Sequence, residues 1–285
     1  MNQPSATNHG APASAVHAYI EFLAPATAHE RPYSYGYEPG ADEAPPTAAF
    51  EAHRVEIRDI RSESRRLSLD EHGVTLMEHR SRVRDFYDNG ELASVYYPEA
   101  ADVIRAATGA DRVLVFDHNV RRGLSLALHP DRYGQGRPVL HAHTDYTETS
   151  AVRRLADQLG PQAALSRHRR VLQVNLWRPV RGPLRDFPLA ICDASSIDPK
   201  QLVAVDLLYP DRRGEIFYLT HDPRQRWYYA ADMGVDEAWI FKNYDSKTGG
   251  TARFAAHSAF FEPPREVRVD PRESIEVRAF ALFDF

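Results

Sequence analysis

Three side chains far apart in the chain have the types and spacing to hold one metal ion. His143 and Asp145 stand two residues apart in the run His141-Ala142-His143-Thr144-Asp145, and His257 follows beyond a long stretch of strand-like sequence. On an extended segment, a spacing of two puts both side chains on one face. An imidazole and a carboxylate can then converge, and a distant imidazole completes the set. Two nitrogens and one anionic oxygen on one face of an octahedral metal leave the remaining positions open, the arrangement that holds non-haem Fe(II) for reaction with O2.

A His-x-Asp pair arises readily by chance in a chain with 13 histidines, and a second one is present at His129-Pro130-Asp131. That second pair opens the turn-rich run Pro130-Asp131-Arg132-Tyr133-Gly134-Gln135-Gly136, where Asp and Gly serve the turn and a ligand is poorly held. His143 and Asp145 instead follow Arg137-Pro138-Val139-Leu140, a short apolar stretch that reads as a strand.

The elements that must position these residues are mostly strands. Val16–Phe22, Arg54–Asp59 and Arg112–Asp117 read as strands, and from Val171 onward short strand candidates follow one another: 171–177, 189–191, 202–208, 215–220, 227–230, 238–242, 253–261 and 274–283. Helices fall in the first half. One runs from Pro98 to about Thr108 with Gly109 as its stop, and another is capped by Thr149 or Ser150, carries a stripe of Val152, Leu155 and Leu159, and ends at Gly160. Short strands at this frequency predict a mainly β fold, a double-stranded β-helix or jelly roll with supporting helices. Residues 1–14, rich in Ala, Ser, Pro and Asn, predict a disordered tail, and 15–285 a single domain. The segment from Ala24 to about Phe50 lacks any period and reads as an irregular surface wrap or a lid, with Tyr33-Ser34-Tyr35-Gly36-Tyr37 offering flat apolar faces.

Composition narrows the function classes. A net charge of -5 lacks the basic face of a nucleic-acid binder. The clusters Arg121-Arg122 and Arg167-His168-Arg169-Arg170 read as solvated loop ends. Cys192 is the sole cysteine and lies in an apolar run, which excludes an internal disulfide and predicts an inert buried thiol in a reducing compartment. No stretch approaches a bilayer-spanning length, and the start of the chain lacks the basic and apolar parts of a signal peptide, so the cytoplasm is expected. Composition leaves open a homodimer or a biosynthetic partner protein.

The wording of the chain adds a resemblance. Val174-Asn175-Leu176-Trp177-Arg178-Pro179, Pro188-Leu189-Ala190-Ile191-Cys192-Asp193, Trp227-Tyr228-Tyr229, Ile240-Phe241-Lys242-Asn243-Tyr244-Asp245-Ser246 and Pro271-Arg272-Glu273-Ser274-Ile275-Glu276-Val277-Arg278 occur in that order. With His143-Thr144-Asp145-Tyr146 and His257-Ser258-Ala259-Phe260, they resemble the iron oxygenase-like family that includes the hydroxylase component of cephamycin 7α-methoxylation and gibberellin-desaturase-like fungal enzymes. The resemblance runs from about Val16 to the C-terminus. It implies Fe(II), 2-oxoglutarate and O2, a natural-product substrate, and His143, Asp145 and His257 as metal ligands.

A 2-oxoglutarate chelated to iron by its keto-acid end needs a fixed donor for its other carboxylate, a task suited to a bidentate Arg. Arg272 and Ser274 have the Arg-x-Ser form of such oxygenases, at a longer gap from the last histidine than the commonest pattern. Arg278 shares the strand face of Arg272, and Arg178 is a third candidate.

Other readings compete. His141, His143 and Glu148 match the first metal motif of cupins, although the second motif is absent around His257. The cephamycin system divides its reaction between two proteins, so a non-catalytic partner subunit is a separate class; the presence of all three ligands favours an active enzyme. No His-Glu-x-x-His helix suggests a zinc hydrolase. Trp177, Trp227, Tyr228, Tyr229 and Trp239 read as core rather than as a substrate pocket.

Overall fold

Runs of β-branched and aromatic residues separated by turns fold into two facing sheets with few helices, as predicted. The computed structural model describes residues 15–25, 31–37, 39–63, 67–122, 138–160, 168–261 and 270–285. The expected tail at 1–14 and the turn-rich run after His129 lie outside the described residues.

The larger sheet has the order β1 (Ala15–Leu23), β3 (Phe50–Asp59), β11 (Trp227–Tyr229), β8 (Leu189–Cys192), β13 (His257–Ala259), β6 (His143–Thr144), β10 (Arg213–Leu219), β9 (Leu202–Leu208) and β2 (Tyr33–Tyr35). The smaller runs β4 (Val74–Glu78), β12 (Glu237–Asp245), β7 (Arg170–Pro179), β14 (Glu273–Phe283) and β5 (Arg112–Arg122). Leu189, Ile191 and Tyr228 of the larger sheet share one core cluster with Trp177, Trp239 and Phe241 of the smaller, so the sheets enclose a common interior. This is the jelly-roll architecture.

Alternation along β14 assigns the two faces of the smaller sheet. Ile275, Val277 and Ala279 join Val174, Leu176 and Ile240 in an outer cluster, covered by Leu92, Tyr96, Ala100 and Ile104. Ala100 and Ile104 belong to α2 (Tyr97–Thr108), which carries Pro98 in its first turn and ends on Gly109 in the left-handed conformation. The residues between them in β14, Ser274, Glu276 and Arg278, face inward. Further along, Phe280 and Leu282 pack on Leu155 of α3 (Glu148–Leu159), so the interior is apolar at that end and polar at the other.

Several local expectations change. The cap of α3 is Thr147, not Thr149 or Ser150: Thr147 Oγ1 accepts from Ser150 N at 3.1 Å and Thr147 N donates to Ser150 Oγ at 2.9 Å. The strand expected before His143 is only an isolated bridge between His141 and Glu21, and β6 is His143–Thr144 itself. β2, β4, the short α1 (Asn89–Glu91) and the wider-turn stretch Leu92–Tyr96 have no strong pattern in sequence. Within the segment expected to be irregular, Tyr33–Tyr35 dock as an edge strand of the larger sheet. Tyr33 and Tyr35 donate their hydroxyls at 2.8 Å to Pro45 O and Ala44 O, and Gly36 N donates to Leu208 O at 2.9 Å. Gly36 lies so close to the Tyr209 ring that a Cβ would sit 2.2 Å from Cζ. No described residue of this segment lines the interior cavity.

Candidate metal centre

Adjacent strands bring the distant histidines together. β6 and β13 pair antiparallel with His143 opposite His257, and their ring centroids are 4.4 Å apart. Asp145 stands just beyond β6, with Oδ1 3.6 Å from His143 Nε2 and 4.0 Å from His257 Nε2. The three ligand atoms lie within 4.8 Å of one another, and no other such group of His, Cys, Asp or Glu forms among the described residues.

Hydrogen bonds orient His143 and Asp145. His143 Nδ1 donates to His141 O at 2.7 Å; a carbonyl can only accept, so the proton is fixed on Nδ1 and Nε2 keeps its lone pair. Asp145 Oδ2 accepts from Arg278 Nε at 2.8 Å and from Asn175 Nδ2 at 2.8 Å, while Asp145 N donates to Asn243 Oδ1 at 2.9 Å. Oδ2 is thereby occupied and Oδ1 is left facing the imidazoles, as a monodentate ligand requires. Burial would raise the Asp145 pKa, but Arg278, with the two imidazoles, holds it well below the usual carboxylate range. Burial, aided by the neighbouring His143, pulls His257 down to about 3, so its ring is neutral near pH 7. Two imidazoles and an ionised carboxylate at this spacing fit a divalent iron.

The cavity beside the triad is lined by Arg121, Trp177, Leu189, Arg272 and Glu276, with Val139, Ser258 and Ala259. Arg272 is buried, donates from Nε to Ser274 Oγ at 2.9 Å and from Nη1 to Phe187 O at 2.7 Å, and lies over the Trp177 ring at 4.9 Å. No carboxylate forms an ion pair with it among the described residues. Burial, and then the charge of Arg121, pull its pKa down to about 9. A buried cation destabilised in this way fits an anionic ligand such as a dicarboxylate.

The other candidate arginines have different surroundings. Arg278 is committed to Asp145, to Asp117 at 3.2 Å and to Glu276 at 2.9 Å. Arg178 is buried on the outer face, where Nη1 is 3.0 Å from His79 Nδ1, Nη2 donates to Val235 O and the guanidinium lies over Phe86. It shares the parity of Val174 and Leu176, whereas its neighbour Trp177 points inward. Arg121, expected at a solvated loop end, lines the cavity instead, because β5 runs on to Arg122 and pairs Arg121 with Ser274. Arg170 is also bound, pairing with Asp245 and Asp70. Glu276, Asn175 and Asn243 were not singled out as site residues in the sequence; strand parity around Arg272, Trp177 and Phe241 is the signal that locates them.

The cupin set does not assemble. His141 stacks on Phe50 at 3.7 Å with Nδ1 2.7 Å from Glu21 Oε2, and Glu148 in the first turn of α3 accepts from Arg253 at 3.2 Å. Trp227, Tyr228, Tyr229 and Trp239 are core, as expected, and Trp177 alone of that group lines the cavity. Burial pushes the Cys192 thiol up to about 12, consistent with an inert side chain.

Known proteins resemble this chain in sequence and fold. A family model described as an oxidoreductase/YMDC permease-like domain (YDMC) matches residues 20–282. No helix among the described residues is long and apolar enough to cross a membrane. The alpha-ketoglutarate-dependent dioxygenase phiK of a fungal species is 32% identical, with 80% of this chain and 83% of that protein covered. The hydroxylase/desaturase efuI of Hormonema carpetanum is 30% identical over 82% of this chain and 85% of its own length. Among solved structures, the iron and alpha-ketoglutarate-dependent endoperoxidase NvfI superposes with a TM-score of 0.83 at 27% identity, covering 95% of this chain and 99% of that one. With its fold, its converging His-Asp-His side chains and these relatives, the chain belongs to the Fe(II)/2-oxoglutarate-dependent dioxygenase family.

Proposed function

We propose that this protein oxidises a C–H bond of a medium-sized, largely apolar natural product, with Fe(II) held by His143, Asp145 and His257 and 2-oxoglutarate held by Arg272 and Ser274. The observation that carries this reading is a buried Arg272, lacking any carboxylate ion pair among the described residues, in the cavity of the three ligands. When bound, iron and 2-oxoglutarate supply, with O2, the oxidising equivalents for C–H cleavage and release succinate and carbon dioxide. The chain's own residues hold and exclude. Asn175 and Arg278 keep Asp145 ionised and turned toward the imidazoles, Arg272 offers Nη2 to the distal carboxylate, and Trp177 and Leu189 form apolar walls that keep water out.

Hydroxylation, desaturation, ring closure and endoperoxide formation differ in how the substrate is held after C–H cleavage, and the related proteins carry names from several of these classes. The narrower likeness to the cephamycin hydroxylase component and to gibberellin-desaturase-like enzymes supports tailoring of a secondary metabolite. All the proposed ligands come from one chain, which favours an enzyme that completes its own site, alone or as a homodimer, over a non-catalytic subunit. The buried lone thiol suits the cytoplasm.

The test is 2-oxoglutarate-dependent succinate release by purified protein and its variants. Arg272→Ala is expected to weaken 2-oxoglutarate binding by about 2–5 kcal/mol, the cost of losing a buried charge-assisted contact. Normal behaviour of Arg272→Ala, with a raised requirement in Arg121→Ala or Arg278→Ala, moves the anchor to that residue.

A further inference from the structure

Resting on the reading of Arg272 as the anchor, we propose that Phe187 is a positioning residue whose backbone, rather than its ring, aims the Arg272 guanidinium at the co-substrate. Phe187 holds φ 45°, in the left-handed region that a residue with a Cβ adopts at a cost. Asp232, with φ 49°, is the only other non-glycine in that state among the described residues, and the two lie on segments tied to each other. Leu184 N donates to Met233 O at 2.9 Å, and Arg185 Nε donates to Asp232 Oδ1 at 2.7 Å. Arg272 grips the same loop from the other side, with N donating to Asp186 Oδ2 at 2.8 Å and Nη1 to Phe187 O at 2.7 Å.

Strain of this kind persists only where the surroundings over-determine it. Here it turns one carbonyl toward one guanidinium. With Ser274 Oγ on Nε and the Phe187 carbonyl on Nη1, the plane of the fork is fixed on two sides. A guanidinium receives a carboxylate bidentately only in its own plane, so the Phe187 peptide sets the plane in which the co-substrate is met. The competing role is that of the ring, which leans on the half-exposed Phe261 at 5.8 Å and could wall the cavity mouth.

Anaerobic calorimetry of 2-oxoglutarate binding to the Fe(II)-loaded full-length protein separates the two roles without measuring turnover. Phe187→Gly and Phe187→Asn accept a positive φ readily and are expected to keep the Kd within about twofold, whereas β-branched Phe187→Val escapes the strain by swinging the carbonyl away and weakens binding about tenfold. If Phe187→Val does not fold, Phe187→Ala takes its place and is expected to bind more weakly than Phe187→Gly. Loss of binding in Phe187→Gly, or unchanged binding in Phe187→Val, overturns the proposal. Arg272→Lys is measured alongside: if it binds normally, the reading of Arg272 fails; if it binds weakly while the glycine and valine variants behave alike, only the role of Phe187 fails.

Discussion

Arg272 and Arg278 stand on the same inward face of β14, yet their surroundings divide their work. Arg278 is surrounded by carboxylates and spends its donors on Asp145, Asp117 and Glu276; Arg272 meets a hydroxyl and a carbonyl. Arg278 is therefore proposed to act through Asp145, the proposed metal ligand. Its replacement by Ala leaves Asp145 Oδ2 held by Asn175 alone and should weaken Fe(II) binding by about 10–100-fold, the usual effect of removing a group that orients a ligand. Equal metal affinity in wild type and Arg278→Ala, measured by anaerobic titration, would show that Asn175 and Asn243 suffice. Protonation of His257 in the triad and of His141 beside it gives a second prediction. Folded His257 titrates near 3 and His141 near 4, depressed mainly by burial, while unfolded histidine titrates near 6.5. Above about 6.5 neither state carries these protons and the metal-free fold keeps its full stability. As pH falls from there toward 3–4, the unfolded chain takes up protons that the fold refuses, so stability drops. The urea midpoint of metal-free protein should fall between pH 7 and pH 5, and less steeply in His257→Leu. A His257→Leu profile as steep as wild type would falsify the assignment.

At the scale of elements, strand parity made much of the site legible. The spacing of His143 and Asp145, and the shared face of Arg272, Ser274 and Arg278, follow from a period of two. Parity also separates Arg178 from the cavity, but only once Trp177 is known to face inward, which a strand buried on both faces does not reveal. Arg121 was missed because β5 continues past Asp117 through His118 and Asn119, polar residues that mask a strand. β2 was missed because its tyrosines satisfy their hydroxyls within the segment and its strand character comes from pairing with β9, a tertiary effect. β12 carries its own polar device. Lys242 Nζ, fully buried, donates to Asp245 Oδ2 at 2.6 Å and to Ala252 O at 3.0 Å, and Arg170 Nε donates to Asp245 Oδ1 at 3.0 Å. Asp245→Ala leaves Lys242 and Arg170 with only the exposed carboxylate of Asp70 and should cost about 3–5 kcal/mol, whereas the paired change Lys242→Met with Asp245→Leu should cost less because no buried charge is stranded on Lys242. Denaturant unfolding of the three proteins decides this; a double variant no more stable than Asp245→Ala would show that packing, not charge, governs the site.

The whole molecule is organised as a barrel whose interior changes character along its length, apolar where α3 packs on Phe280 and Leu282 and charged where β6, β13 and β14 converge. That gradient explains how polar ligands can be buried without disrupting the core: the outer face of the smaller sheet, under α2, carries the apolar packing and releases the inner face for chemistry. The metal site is its centre, and iron binding to the wild-type protein, Asp145→Ala and His141→Ala under anaerobic conditions tests it most directly. One Fe(II) per wild-type chain is expected, with loss of that iron in Asp145→Ala and retention in His141→Ala. Near-normal iron in Asp145→Ala, or its loss in His141→Ala alone, would contradict the assignment of His143, Asp145 and His257.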